Sequence, residues 1–589
     1  MNQLHLTEHG SARWLEKNEA IKAGLIDKDG ITLGHAFGKR WGAEPPAVDP
    51  VTYTGEAHMV TIAKNRSGKG TSAIVPALLS YEGGILCIDP KGENAIITAH
   101  QRRRMGQDVQ ILDPWKIALK RLEGECGFDG SDDEKPPFQA ASFNPLDMIA
   151  PDSMDLTDDT MTVAEALITE SGNDPHWSQE GKAAMAGLIM HVITSPKEEG
   201  QRHLPRVRDI ISMPPKEFGE LVLDMAQSHV PAVRNAANRL RSKTEKELAS
   251  VMSTAASNTH FLDSPAIRST LESSSFDFGG LKDNDRPLTV FLVLPAERLK
   301  THGRWLRLLV SMGLTAITRK VGKPKKSALF ILDEFAALDR LQMVEEAFGL
   351  MAGFGMRIWI ILQDLSQVQD LYKTRWQTFL ANAGVIQIFG INEPLTAEYF
   401  SRYMGQQTVE QISKTTAEIR QGGFLLSAAD PHYRSMKDRS FGRSLMTADE
   451  LMKMPNDKAI LMISPHDPMI VDKVVYYQDA RFIEPETSKR MYVQHPDYKA
   501  DPTLPIYATG RIGRAVVRHL NGDGKPEKTR FKWTWTPLKY ALGTFLLAVA
   551  LWQWDQCGWD NTPPNEAQCF YKWGAEAPPI WEAIQPFTG

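Results

Sequence analysis

At 589 residues the chain exceeds what one hydrophobic core supports, since cores stop growing near about 250–300 residues, so more than one domain is expected. Apolar residues at 42% and charged residues at 24% are ordinary for a globular protein, and a net charge of -5 does not mark a nucleic-acid binder, although a basic channel is compatible with a mildly acidic whole. Four cysteines without Cys-x-x-Cys spacing, and no cluster of histidines, argue against a metal site built from those ligands.

Residues 1–50 are mixed and polar, with Pro45-Pro46 and Asp49-Pro50 marking a connector. No signal peptide or membrane span is read there. Met59 to Ala63 then predicts a short apolar strand running into Lys64, Asn65, Arg66, Ser67, Gly68, Lys69, Gly70 and Thr71. This is the pattern of a phosphate-binding loop. Gly68 lets the backbone curl and present N–H groups to phosphate oxygens, Lys69 reaches the β and γ phosphates, and the next helix points its positive end at them. Two departures from G-x-x-x-x-G-K-[ST] stand out: Ala63 replaces the first Gly, and Gly70 occupies the place of the Mg²⁺-binding hydroxyl, leaving Thr71 one position later as the candidate ligand. Taken alone, this segment also reads as an ordinary turn.

Gly84 to Asp89 and Asp108 to Leu112 predict further strands alternating with helical stretches, so 51–146 forms the first half of an α/β core. From 147 to 282 the periodicity is helical, with polar joints at Ser195-Pro196 and Met213-Pro214-Pro215, and an all-α insertion is expected. Within it Arg234, Arg239, Arg241, Lys243 and Lys246 could meet DNA phosphates. A solvated helix face neutralised by Glu245 and Glu247 is the competing reading.

The second half of the core, 283–480, opens with Leu288 to Leu294. Ser327 to Leu332 is an uninterrupted apolar strand that delivers Asp333 and Glu334, and Met356 to Leu362 delivers Gln363 and Asp364. Asp333 is placed to hold Mg²⁺ through water, Glu334 to act as general base, and Gln363 to orient water and sense the γ-phosphate. Together with the loop they predict binding and hydrolysis of a nucleoside triphosphate at the carboxyl ends of a doubly wound parallel sheet. Val385 to Phe389 adds a strand, and Ala459 to Ile463 with Met469 to Val471 reads as edge structure. Arg434, Lys437, Arg439 and Arg443 form a basic surface candidate, and Thr447-Ala448-Asp449-Glu450 reads as a helix N-terminus.

Residues 481–532 read as a proline-rich linker. Trp533 to Trp554 would be about 33 Å long as a helix, enough to cross a hydrocarbon core of about 30 Å, with tryptophans suited to both interfaces. Its apolar centre is short, so a buried or interfacial helix is the alternative. Lys525, Lys528, Arg530, Lys532 and Lys539 precede it and Asp555, Asp560 and Glu566 follow. The residues before it are therefore expected in the cytoplasm and the tail 555–589 on the other side of the membrane. There Cys557 and Cys569 could form a disulfide, whereas Cys87 lies in a core strand and Cys126 in a loop on the reducing side.

The loop and the two strand ends, joined by Gly10-Ser11-Ala12-Arg13-Trp14, Asp89-Pro90-Lys91-Gly92-Glu93, Leu112-Asp113-Pro114, Phe143-Asn144-Pro145-Leu146-Asp147, His176-Trp177 and Gln363-Asp364-Leu365-Ser366-Gln367 in this order, resemble the TraG/VirD-type coupling ATPases of type IV secretion and conjugation. The likeness runs roughly from Gly10 to Val471. It implies an RecA-like P-loop ATPase core with the inserted all-α domain, to which the tail adds a C-terminal transmembrane helix. It further implies a homo-hexamer, and an activity that recruits relaxase-bound DNA or a protein substrate to a type IV secretion channel. Members usually carry membrane helices ahead of the motor, which this reading does not find in residues 1–50. A ring ATPase also implies an arginine finger, for which Arg357, Arg375 and Arg402 are candidates without a choice among them. A receptor using ATP as an assembly switch, and an intracellular FtsK-like DNA motor, are the alternative functions.

Overall fold

The computed structural model describes residues 9–36, 47–124, 137–169, 175–350, 352–413, 437–484, 489–495 and 508–509. In chain order the strands are β1 (Ile31–Ala36), β2 (Ala47–Tyr53), β3 (His58–Ala63), β4 (Ile85–Asp89), β5 (Asp108–Leu112), β6 (Leu288–Val293) and β7 (Ala328–Leu332). They continue with β8 (Met356–Leu362), β9 (Ala383–Phe389), β10 (Gln406–Ser413), β11 (Lys437–Ser444), β12 (Lys458–Ile463), β13 (Met469–Asp472) and β14 (Ala508–Thr509). Twelve of them form one sheet in the order β14-β2-β1-β13-β12-β9-β3-β8-β7-β4-β6-β5, and β10 pairs with β11 as a separate hairpin.

From β9 to β5 every neighbouring pair is parallel. That half explains the unbroken apolar runs: β3, β4, β6, β7 and β8 are buried at every residue, as strands covered on both faces must be. Helices Glu93–Arg104 and Leu299–Arg319 both lie against β4. On the other side of β9 the sheet turns antiparallel through β12, β13, β1 and β2. The order puts β8 between β3 and β7, so the strand bearing Gln363 runs between the loop strand and the strand bearing the acid pair. The expected parallel α/β sheet is present.

Between β5 and β6 the described residues form helices, among them Leu156–Leu167, Pro175–Thr194, Pro231–Arg241 and Glu245–Thr259. Prolines at 205, 215 and 231 stand in the first turns of their helices, where the missing N–H costs nothing.

Two segments differ from the expected connector and linker. Residues 31–36 are a fully buried strand inside the sheet, unreadable by alternation because Gly34 interrupts the pattern. A Cβ at Gly34 would lie 2.4 Å from the Val471 side chain, so only glycine allows β13 to approach β1 this closely. At the other end, 481–484 and 489–495, expected as linker, lie on the core, where Phe482 and Tyr492 are buried with Val75, Leu79 and Ile97. The Asp479 carboxylate sits 3.2 Å from His35 Nε2 and pairs with Arg481; burial alone would raise its pKa, but the Arg481 charge and the His35 contact hold it well below the usual range. Among the described residues no helix is long and apolar enough to cross a membrane. The segment 533–554, and with it Arg434, Cys126, Cys557 and Cys569, lies outside the described residues.

Candidate active site

The loop after β3 is held mostly by its own backbone. Ser67 donates both its N–H and its hydroxyl to the Lys64 carbonyl, at 3.3 and 2.6 Å, and the left-handed residues Arg66 (φ 59°) and Gly68 (φ 89°) reverse the chain. Gly70–Ile74 then forms a wide helical turn, in which Val75 N–H bonds back to the Gly70 carbonyl, before the helix Val75–Ser80. A brace from beyond β13 completes the loop: Lys473 Nζ donates to the Ser67 carbonyl at 2.6 Å.

The acid pair meets this loop from β7. Glu334 holds a left-handed conformation (φ 53°, ψ 44°), which turns its carboxylate toward Lys69. Lys69 Nζ lies 3.3 Å from Glu334 Oε1 and 3.9 Å from Asp333 Oδ1. Gln363 Nε2 donates to Glu334 Oε2 at 3.0 Å, and Asn65 Nδ2 donates to Gln363 Oε1 at 3.2 Å. One connected array therefore joins β3, β7 and β8. Burial raises the Asp333 pKa to about 6, against the pull of Lys69.

The array opens on a cleft of about 910 Å³. Every residue assigned to nucleotide or metal from the sequence lines it except Lys64 and Ser67, which serve the loop's internal bonding. Thr71, the displaced hydroxyl residue, lines the cleft, whereas Ser72 is buried. The donor set suits Mg²⁺: Asp333 and Thr71 are hard oxygen donors, and among the described residues no group of three or more His, Cys, Asp or Glu could hold an ion by itself. A divalent ion here would be shared with phosphate oxygens and water.

Sequence reasoning gave no role to Asp89, Lys91, Tyr476, His495 or Lys473, of which all but Lys473 line the cleft. The position of Asp89 at the carboxyl end of a parallel strand was the available signal for it. The other late residues had none, because nothing local ties them to the loop. Asp89 is buried, accepts the Ala95 N–H at 2.9 Å, and burial raises its pKa to about 7. Because the folded chain holds this proton more tightly than the unfolded one, stability should fall as pH rises from about 4 to about 7. Asp89→Asn keeps an acceptor and removes the charge. Urea midpoints at pH 5 and 7.5 should then differ less than in the unaltered chain; an unchanged difference would assign the pH dependence elsewhere.

The profile of a family described as Type IV secretory system Conjugative DNA transfer matches residues 11–122 and 135–499. The chain belongs to this family, the type IV coupling proteins. Conjugal transfer protein TraG of Escherichia coli is 28% identical over 549 residues, covering 88% of this chain and 81% of that protein. Protein VirD4 of Agrobacterium fabrum is 25% identical over 480 residues, covering 80% and 66%. Among solved structures, the bacterial conjugative coupling protein TrwBdeltaN70 superposes with a TM-score of 0.56 at 13% identity, over 81% of this chain and 96% of that one. TrwB in complex with ADP and Mg²⁺ gives 0.54 at 14% identity, covering 79% of this chain and 94% of that chain. These likenesses carry the fold.

For this coupling protein the arginine candidates separate. Arg357 is buried, donates to the Gly55 carbonyl and lies 5.3 Å from the Tyr53 ring, so it is a core residue. Arg375 pairs with Glu345 at 2.6 Å, and Arg402 is exposed beside Tyr399 and Tyr403. The basic stretch is largely neutralised within the chain. Arg234 donates to the carbonyls of Ser228 and His229, Arg239 and Lys243 share Glu180, and Lys243 also meets Glu247, while Arg241 and Lys246 are exposed. Of the other basic candidate, Arg443 pairs with Glu450.

Proposed function

We propose that the chain binds and hydrolyses ATP and uses the cycle to recruit DNA, through a relaxase-bound strand, or a protein substrate to a type IV secretion channel and to help move it. The observation that carries the hydrolytic part is the array Asn65–Gln363–Glu334–Lys69 at the mouth of one cleft. Lys69 is positioned to exchange its carboxylate contacts for β and γ phosphate oxygens, which frees Glu334 to take a proton from the attacking water. Gln363, anchored by Asn65, orients that water. Asp333 and Thr71 would hold Mg²⁺, which when bound supplies neutralisation of phosphate charge. TrwB, solved with ADPNP, a non-hydrolysable ATP analogue, and with ADP and Mg²⁺, lends support by likeness of fold.

The test is ATP turnover by the chain truncated near Arg530, with and without single-stranded DNA. Stimulation by DNA of tenfold or more is expected. Turnover indifferent to DNA would favour the receptor that uses nucleotide only for assembly.

A homo-hexamer and a single membrane span at 533–554, motor in the cytoplasm, complete the proposal. The charge asymmetry around that span supports the orientation. Cys557 or Cys569, after reduction, should react with a membrane-impermeant thiol reagent in intact spheroplasts. Labelling that needs lysis would overturn the orientation.

A further inference from the structure

Helix Leu299–Arg319 begins at the cleft, whose wall includes Leu299, and packs on the helix Leu156–Leu167 of the inserted helical domain. Its first turns also meet the segment that follows the acid pair. A Cβ at Gly303 would lie 2.6 Å from the Ala337 carbonyl oxygen, so glycine lets the helix approach that segment closely. One turn on, Arg307 is buried and donates to four backbone carbonyls. Two, Ala166 at 2.9 Å and Glu165 at 3.3 Å, belong to the last turn of Leu156–Leu167, where carbonyls have no partner within the helix and a cation is favoured. The other two, Leu338 at 3.4 Å and Arg340, lie just past the acid pair. A planar guanidinium fork suits such a split, and although burial lowers its pKa to about 10 it stays charged at neutral pH. Neighbouring bonds repeat the connection: Arg304 donates to the Thr169 hydroxyl at 3.2 Å, and Arg319 pairs with Asp159. The turn Phe335–Leu338 is bracketed by two left-handed residues, Glu334 and Asp339 (φ 54°, ψ -169°), a strained pair that persists only while its surroundings hold it.

We propose that Arg307 is a positioning residue that couples the acid pair to the inserted helical domain. When Lys69 leaves Glu334 for phosphate, the turn 335–340 relaxes and, through Arg307, shifts the end of helix Leu156–Leu167. This coupling rests on the nucleotide reading of the cleft and names the route by which the helical domain senses it. It runs both ways, so a substrate that moves the helical domain changes the setting of Glu334 in turn.

Hydrogen exchange of the full chain, followed by mass spectrometry with and without a non-hydrolysable ATP analogue and Mg²⁺, is the test. The analogue should slow exchange at 64–75 and change it at least about twofold at 160–169. Arg307→Lys keeps the charge and loses the fork, so the change at 160–169 should vanish while that at 64–75 persists. A difference at 160–169 that survives in the variant, whatever its baseline, would make Arg307 a structural residue only and overturn the proposal. A response confined to 64–75 in the unaltered chain would overturn the coupling without recourse to any variant. No response at either segment would overturn the nucleotide reading, and the coupling with it.

Discussion

Lys69→Ala should raise the dissociation constant for ATP at least about 100-fold, or about 2.7 kcal/mol, and abolish turnover. The side chain lines the cleft between Gly68 and Gly70 and already bridges two carboxylates, so its removal deletes charge-assisted hydrogen bonds worth about 1.5–3 kcal/mol to a phosphate. The deletion also brings Asp333 and Glu334 to the cleft wall without a shared cation, which makes the approach of a polyanion less favourable still. Fluorescent-nucleotide titration measures the effect, and a thermal melt confirms that the fold survives. Retained binding within tenfold would mean that Lys69 is a structural partner of the acid pair and nothing more.

Glu334→Gln separates binding from chemistry. The substitution preserves shape and the capacity to bond Gln363, but removes the group able to take a proton. Turnover should fall by about 10²–10⁴-fold with ATP affinity held or improved. Single-turnover quench of bound ATP is the direct measurement. A rate within tenfold of the unaltered chain would move the base to another group, of which Asp333 is the nearest.

The legible part of the site was the part whose chemistry is written in consecutive residues. Gly68-Lys69 and Asp333-Glu334 each announce themselves within a strand and its end, and uninterrupted apolar runs marked β3, β7 and β8 as doubly covered strands. What stayed hidden depends on partners distant in sequence. β1 satisfies its buried His35 with Asp479, 444 residues on, and Lys473 braces the loop from 406 residues beyond Ser67. No local pattern encodes such pairs. The basic stretch shows both sides of this: Glu247, a partner readable from the sequence, meets Lys243, whereas Glu180, which neutralises Arg239 and Lys243, lies on a different helix and no local pattern names it.

The position of β3 has a consequence for how the protein is made. Its ladder partners begin far downstream: β3 ends at Ala63, whereas β8 begins at Met356 and β9 at Ala383. At about 5–20 residues per second, a ribosome needs roughly 15–60 s to deliver them. During that interval the loop strand has two unpaired apolar edges, a liability for aggregation. A nascent chain stalled before residue 356 should therefore bind trigger-type chaperones at Met59 to Ala63 and fail to retain nucleotide, even though the whole phosphate loop has already left the tunnel.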